Sequence, residues 1–338
     1  MNNNLNTSSD RQQVFSDLLQ QIKKTRQRVF TQINKTLIDL YWSVGETISQ
    51  KVQSEAWGKG VVTELAKYIA ENAPDIKGFS DKNLWRMKQF YETYRDNEKL
   101  SLLVRGLPWS HNLAIFSRCK TEEEQEFYLK LSIQENYSFR ELDRQISAGF
   151  FERTMLGKTK LSTPLRELHP NIDQTFKDNY VLEFLGLPEI HTENDLQEAL
   201  VRHMKKFILE LGKDFIFMGE EYRLQVGNQD FYIDLLFFHR GLSALVAFEL
   251  KIGKFLPEHI GQLNFYLEAL DRDVKKPHEN PSIGVLLCRD KDDEVVEYAL
   301  SRNLSPTLIT QYKLQLPDKK LLRDKLHELL SHGSNNNL

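Results

Sequence analysis

From Phe231 to Phe255 the chain reads FYIDLLFFHRGLSALVAFELKIGKF, two apolar runs that carry three charges of note, Asp234, Glu249 and Lys251. Strand side chains alternate between faces, so runs with so little polar alternation predict strands covered on both sides. Arg240-Gly241-Leu242 lies between the runs, and the glycine is expected to take a turn dihedral that other residues avoid. A hairpin about that turn sets residues whose numbers add to about 483 opposite each other, which makes Asp234 and Glu249 cross-strand neighbours. Glu249 and Lys251, two residues apart, share one face, and the pairing brings Asp234 onto it.

Two carboxylates forced together between apolar strands repel each other, and burying either charge alone is costly. The pattern therefore calls for a cation between them. Lys251 supplies one charge, and a divalent ion with hard oxygen ligands, Mg²⁺ or Mn²⁺, supplies the rest. Such an ion activates water in phosphodiester hydrolysis, while a lysine orients that water or offsets developing charge. The plainer reading is a solvated salt bridge on one sheet face. Against it stand the large apolar residues on every side, among which unexplained charges are rare. The next helix starts near Pro257 and places Glu258, Gln262 and Tyr266 at four-residue intervals, a stripe able to lean over the same site.

Around this hairpin the chain divides into two. Its 338 residues exceed one ordinary domain, and 40% hydrophobic with 28% charged residues suffices for two cores. Residues 1–156 read as helices: Val14 to Leu40 repeats apolar residues at helical spacing as one long helix or two in series, and Ser80, Thr121 and Ser138 are placed as N-caps. Pro164 and Pro170 in a polar context put the boundary between Gly157 and Asn179. Residues 180–332 alternate helix and strand, with a helix over Asp195–Leu211 and separate strands at Phe215–Met218 and Glu221–Val226. The expected fold is an α/β carboxy-terminal domain with a mixed sheet beside an all-α amino-terminal domain.

The net charge of −3 conceals an asymmetry: residues 1–160 hold 24 Lys and Arg against 20 Asp and Glu, and the remainder 21 against 28. The more basic half suits a polyanion and the acidic half a cation site. Cys119 and Cys288 have no metal-ligand spacing, Cys288 fitting a small buried strand residue, so neither a disulfide nor a zinc site is expected. The absence of a signal segment or a long apolar run leads us to expect a cytoplasmic protein with no membrane partner. Polar tracts at Asn2–Asn4 and Asn335–Asn337 are read as frayed ends.

Asp234, Glu249-x-Lys251 and Gln262-x-x-x-Tyr266 together resemble the PD-(D/E)XK nuclease core, and the wider pattern resembles the YhcG-like family of two-domain proteins. The amino-terminal half contributes Tyr41-Trp42, Gly78-Phe79-Ser80, Asn83-Leu84, Phe90-Tyr91 and Pro108-Trp109-Ser110-His111-Asn112 to that likeness. The carboxy-terminal half adds Asp234-Leu235-Leu236-Phe237, Glu249-Leu250-Lys251 and Gly261-Gln262-Leu263-Asn264-Phe265-Tyr266. The resemblance implies a metal-dependent nuclease in which Asp234, Glu249 and the Leu250 main-chain carbonyl hold Mg²⁺ or Mn²⁺. Lys251 would act on the water or the scissile phosphate, and Gln262 would orient the site. Related nucleases add a glutamate from the helix before the sheet, a place for Glu198 or Glu193. Ile233 stands where the family pattern usually has proline.

In the amino-terminal half, Val61–Ala70 and Ser80–Tyr94 resemble a helix-turn-helix that would offer Lys82, Asn83, Arg86 and Lys88 to nucleic acid, with Tyr266 a further contact in the other half. The plainer reading of the same helices, a bundle with solvated charges, stands slightly ahead, because helix pairs with short turns are common and the charge excess is small. Trp42, Trp85 and Trp109 are expected to anchor the core. The expected partners are nucleic acid, DNA foremost, and further copies of the chain in a homo-oligomer. The rival to catalysis is a nucleic-acid-binding or assembly protein that uses a nuclease-like scaffold.

Overall fold

The computed structural model describes residues 4–334 apart from 55, 56, 58, 158, 171, 173 and 174, so most of the two asparagine tracts lies outside the described residues. The chain divides into two compact units, residues 1–146 and 147–338.

The first unit is helical, as expected. Helix α1 runs unbroken over Asn4–Ser54, followed by α2 (Lys59–Asn72), α3 (Asp81–Tyr94), α4 (Glu98–Leu103), α5 (Trp109–Arg118), α6 (Glu122–Glu135) and α7 (Phe139–Ser147). The three expected N-caps are in place. Ser80 accepts from Asn83 N, Thr121 from Glu124 N and Ser138 from Glu141 N, each satisfying a backbone donor that has no partner within its helix. The second half of α1 packs on α3, where Ile38, Tyr41 and Ile48 meet Leu84, Met87, Phe90 and Tyr94, all buried. Gly45 makes the crossing possible, since a Cβ there would lie 2.2 Å from the Met87 carbonyl oxygen. Trp109 meets Tyr41 and Phe90 edge-on and donates to Asn83 Oδ1 at 3.0 Å, while His111 Nε2 pairs with the Tyr137 carbonyl at 2.9 Å. The first half of α1 differs: every described side chain from Val14 to Ile33 is exposed.

The second unit is a mixed sheet with helices on both faces. In chain order it comprises α8 (Phe150–Leu156), β1 (Lys160–Leu161), α9 (Thr163–Leu168), β2 (Asn179–Val181), α10 (Glu193–Arg202), α11 (Met204–Leu211), β3 (Phe215–Val226), β4 (Gln229–His239) and β5 (Ala244–Lys254). Then follow α12 (His259–Ala269), β6 (Asn280–Asp290), α13 (Asp293–Ser301), β7 (Thr307–Lys313) and α14 (Lys319–Ser334). The strand order is β1-β7-β6-β5-β4-β3, with β2 also on β7. Strands β3, β4 and β5 are antiparallel neighbours, and β5, β6 and β7 run parallel. Leu235, Phe237, Phe248 and Val285 pack under α10 and α11 on one side, while Leu236, Ala247, Leu286 and Ile309 pack under α12 and α13 on the other. Phe207, Phe215, Phe237 and Phe248 meet at centroid distances of 5.3–6.4 Å, each buried ring stabilising the fold by roughly 1.5–3 kcal/mol. Helix α12 comes close to β6 at Gly284, where a Cβ would lie 2.8 Å from Leu263 Cγ. Cys288 is a buried strand residue, and both cysteines are free.

Four details depart from the sequence reading. The segment expected to link the domains belongs to the sheet: β1 and β2 both pair with β7, and Pro164 starts α9 instead of breaking structure. A two-residue strand is too short to show a period. Helix 195–211 is two helices broken at His203. Residues 215–226 form one strand with an irregularity between Phe217 and Gly219, which had read as a gap. In the hairpin turn Gly241 has no positive φ, and the left-handed residue is Ser243 at φ 48°, the last of the four residues between His239 and Ala244. The chain turns back into β5 at that last position, and Gly241 has room for a Cβ, its nearest neighbour being 3.4 Å away. Among the described residues no helix is long and apolar enough to cross a membrane.

Candidate active site

The β4–β5 ladder runs from His239↔Ala244 to Leu235↔Phe248 in the register the sequence predicts. Asp234 and Glu249 stand one step past its end. There Asp234 Oδ2 accepts the Leu250 N–H at 2.7 Å, a side chain taking the place of a main-chain partner. Side-chain alternation along β4 slips at this point, for Ile233 and Leu236 face α12 while Leu235 and Phe237 face α10 and α11. Glu221 falls between the pairs Glu220↔Leu235 and Tyr222↔Ile233, which puts it level with Asp234, and it has a left-handed φ of 43°. Irregularities of this kind re-aim side chains at the ends of ladders.

Glu249 is 2% exposed. One of its oxygens lies 3.0 Å from Lys251 Nζ, so the two share a face. The other, Oε2, is buried with no hydrogen-bond partner among the described residues. Burial first, then the charge of Asp234, pushes the Glu249 carboxyl up to about 7, against the pull of Lys251. Burial also raises Asp234, opposed by the Leu250 N–H and Lys251 and reinforced by Glu193 and Glu221. Burial works against the Lys251 ammonium, but Glu249 and Glu193 outweigh it and its pKa is raised.

Two helices frame this group. Thr192 and Asp195 form a reciprocal capping box that starts α10 at Glu193, and the Glu193 carboxylate in that first turn lies 3.3 Å from Lys251 Nζ. Of the two glutamates left open by the sequence, Glu193 is brought to the lysine and Glu198 is not. Glu198 is exposed and accepts from Asn194 at 3.0 Å. Apolar periodicity starts this helix at Asp195, whereas the Thr192-x-x-Asp195 capping box sets the start two residues earlier and puts Glu193, itself exposed, in the first turn within reach of Lys251. Gln197, also missed, donates to the Asp234 carbonyl at 3.1 Å and ties α10 to the end of β4. From α12, Gln262 Nε2 donates to the Tyr266 hydroxyl at 2.8 Å. Tyr266 is raised by burial and feels Glu249, Asp234 and Lys251, which places it beside the group. His259 is lowered by burial and then by Lys251. Glu258 is exposed at the start of α12.

The four amino-terminal residues expected to meet nucleic acid are divided by the structure. Asn83 is committed internally, accepting from Trp109 Nε1 and donating to the Gly78 carbonyl. Lys88 is held by both oxygens of Glu92 at 2.7 Å, near the Trp85 ring. Lys82 is exposed and Arg86 half-buried. Eight residues separate α2 from α3, against the three or four of a helix-turn-helix.

A mixed sheet whose hairpin end carries Asp, Glu-x-Lys and a Gln-x-x-x-Tyr helix has the architecture of a PD-(D/E)XK nuclease domain. Residues 173–327 match the YhcG PDDEXK nuclease domain, and residues 17–153 match the DUF1016 N-terminal domain. The chain is 32% identical over 358 aligned residues to an Escherichia coli (strain K12) protein named "Putative nuclease YhcG", covering 95% of this chain and 94% of that one. It belongs to the YhcG family of two-domain proteins. A repair endonuclease from Pyrococcus abyssi aligns at 15% identity with a TM-score of 0.26, over 38% of this chain and 50% of that one, a likeness too slight to carry weight.

Proposed function

We propose that the protein is a metal-dependent nuclease that hydrolyses phosphodiester bonds of nucleic acid, DNA foremost, with Asp234, Glu249 and Lys251 as its catalytic centre. The observation that carries this reading is the buried, unpartnered Glu249 Oε2 beside Asp234. An apolar sheet gains nothing from two adjacent buried carboxylates unless a cation joins them. Among the described residues no three acidic, His or Cys side chains are grouped closely enough to hold an ion by themselves. That suits Mg²⁺ or Mn²⁺, which keep several waters and need only one or two carboxylates.

Asp234, Glu249 and the Leu250 carbonyl would hold the ion, while Glu193, the glutamate that reaches Lys251, would hold that lysine in place. When bound, the ion supplies an acidified water and a Lewis acid for the phosphate. Lys251, kept protonated by Glu249 and Glu193, offsets charge on the phosphate and orients the attacking water. Gln262, held by the Tyr266 hydroxyl, would orient the site from α12. In the amino-terminal unit Lys82 and Arg86 would contribute phosphate contacts that weaken with salt.

Purified protein incubated with linear, single-stranded and branched DNA and with RNA, in Mg²⁺, Mn²⁺ or EDTA, tests the reading. Metal-dependent cleavage is expected from the parent, with losses of about 100-fold or more in Asp234→Ala, Glu249→Ala and Lys251→Ala. Lys251→Ala should retain Mg²⁺ affinity by calorimetry. Undiminished metal-dependent cleavage by folded Asp234→Ala and Glu249→Ala proteins would transfer the chemistry elsewhere, and nucleic-acid binding without cleavage would favour the scaffold.

A further inference from the structure

The first half of α1 carries an apolar stripe that is exposed at every described side chain from Val14 to Ile33. Val14, Phe15, Leu18, Leu19, Ile22, Val29, Ile33 and Leu40 are 46–65% exposed, and the stretch from Val14 to Ile33 spans about 30 Å at 1.5 Å per residue. Exposed apolar patches of this extent mark interaction surfaces.

The spacing identifies the partner. Phe15, Leu19, Ile22, Arg26, Val29, Ile33, Thr36 and Leu40 alternate in steps of four and three, the heptad seam of a coiled coil. Read backwards, the seam matches itself about a point between residues 27 and 28: Phe15 comes opposite Leu40, Leu19 opposite Thr36, Ile22 opposite Ile33 and Arg26 opposite Val29. Every pair sets the first core position of one heptad against the second of the other, the pairing of an antiparallel two-stranded coil. A parallel pairing would instead stack Arg26 on its own copy at one level of the seam. In the antiparallel register each Arg26 faces a valine and can extend its guanidinium to the edge.

From this we infer that α1 is a dimerisation helix, and that its occupant is the α1 of a second copy, antiparallel and two-fold symmetric. Such an interface is isologous, as self-complementarity requires. Two stripes would bury on the order of 1,400 Å², within the range of specific, stable interfaces. The seam's side of α1 stays exposed at Ser43 and Thr47, which leaves a lane for the incoming helix, and Ile38, Tyr41 and Ile48 hold the other side against the bundle. This inference does not depend on the nuclease reading, since the seam and the site share no residue.

Sedimentation of the full chain between about 1 and about 100 µM tests it. The parent should sediment at about twice its 39.7 kDa mass, and Ile22→Asp with Ile33→Asp should weaken dimerisation at least about 100-fold. Both side chains are exposed in the single chain, so the aspartate variant should stay folded, its unfolding temperature lowered only by the lost dimerisation, and Ile22→Leu with Ile33→Leu should keep the dimer. Phe15→Cys with Leu40→Cys, oxidised by diamide, should give a covalent dimer linked between positions 15 and 40, whereas Phe15→Cys alone should not. A parent that stays monomeric throughout, or a dimer that survives the two aspartates, overturns the proposal. So does efficient self-linking at position 15, or a monomer that uses the stripe to bind anionic lipid vesicles or DNA.

Discussion

Replacing Glu249 by glutamine should stabilise the metal-free protein at neutral and alkaline pH. The Glu249 carboxyl titrates near 7 in the fold and near 4.5 when unperturbed, a difference worth up to about 3 kcal/mol at roughly 1.36 kcal/mol per pH unit. The folded state thus binds this proton more tightly than the unfolded chain. Its contribution is fully present below about pH 4.5 and is lost as pH rises through about 7. Lys251 is already counted in that balance, because its attraction lowers the Glu249 pKa without restoring it. Glutamine cannot ionise, so its stability lacks this fall. Calorimetric unfolding of parent and Glu249→Gln in EDTA should show little difference near pH 4.5. A gap of about 3 kcal/mol at pH 8 would appear as roughly 6–12 °C for a unit of this size. Mg²⁺ should reverse the order by stabilising the parent and doing little for the variant. A constant gap, or a glutamine variant less stable than the parent at pH 8 without metal, would refute the reasoning.

Glu193→Gln should lower metal-dependent cleavage by about 10-fold or more, whereas Glu198→Gln should leave it unchanged in the same assay, since only the first reaches Lys251. Gly45→Ala should destabilise the helical unit by about 1–3 kcal/mol in a denaturant titration, because its Cβ would enter the Met87 carbonyl. Glu210 is fully buried, accepts the Val181 N–H at 3.1 Å and lies 3.4 Å from Lys177 and 3.9 Å from Arg153. Glu210→Ala should therefore cost the second unit about 3–5 kcal/mol in the same titration by leaving buried cations uncompensated.

The hairpin register was legible because apolar continuity and a single turn leave few ways to pair β4 with β5, and a one-residue slip would invert every side chain. Asp234, Glu249 and Lys251 followed from that register. Three features were hidden for distinct reasons. Glu193 depends on where α10 begins, which a capping box decides and apolar periodicity does not. The left-handed Ser243 occupies a position that four-residue loops set by geometry more than by residue type. Strands β1 and β2 are too short to carry a pattern and exist because β7 offers them partners. Asn83 and Lys88 illustrate a further limit, as polar residues at helical surface spacing turned out to be engaged by Trp109 and Glu92.

The attachment of β1 and β2 to β7 has a consequence for biosynthesis. Residues 160–161 and 179–181 pair with a strand that begins at Thr307, so their partners leave the ribosome more than a hundred residues later. At roughly 5–20 residues per second that interval is on the order of ten seconds. During it Leu161, Tyr180 and Val181, all buried in the finished sheet, have no strand to pair with. The helical unit, made wholly of earlier sequence, can complete its own core in that time. The sheet cannot close until its last strand arrives, and a nascent chain halted before residue 307 would expose both waiting segments to chaperones and proteases.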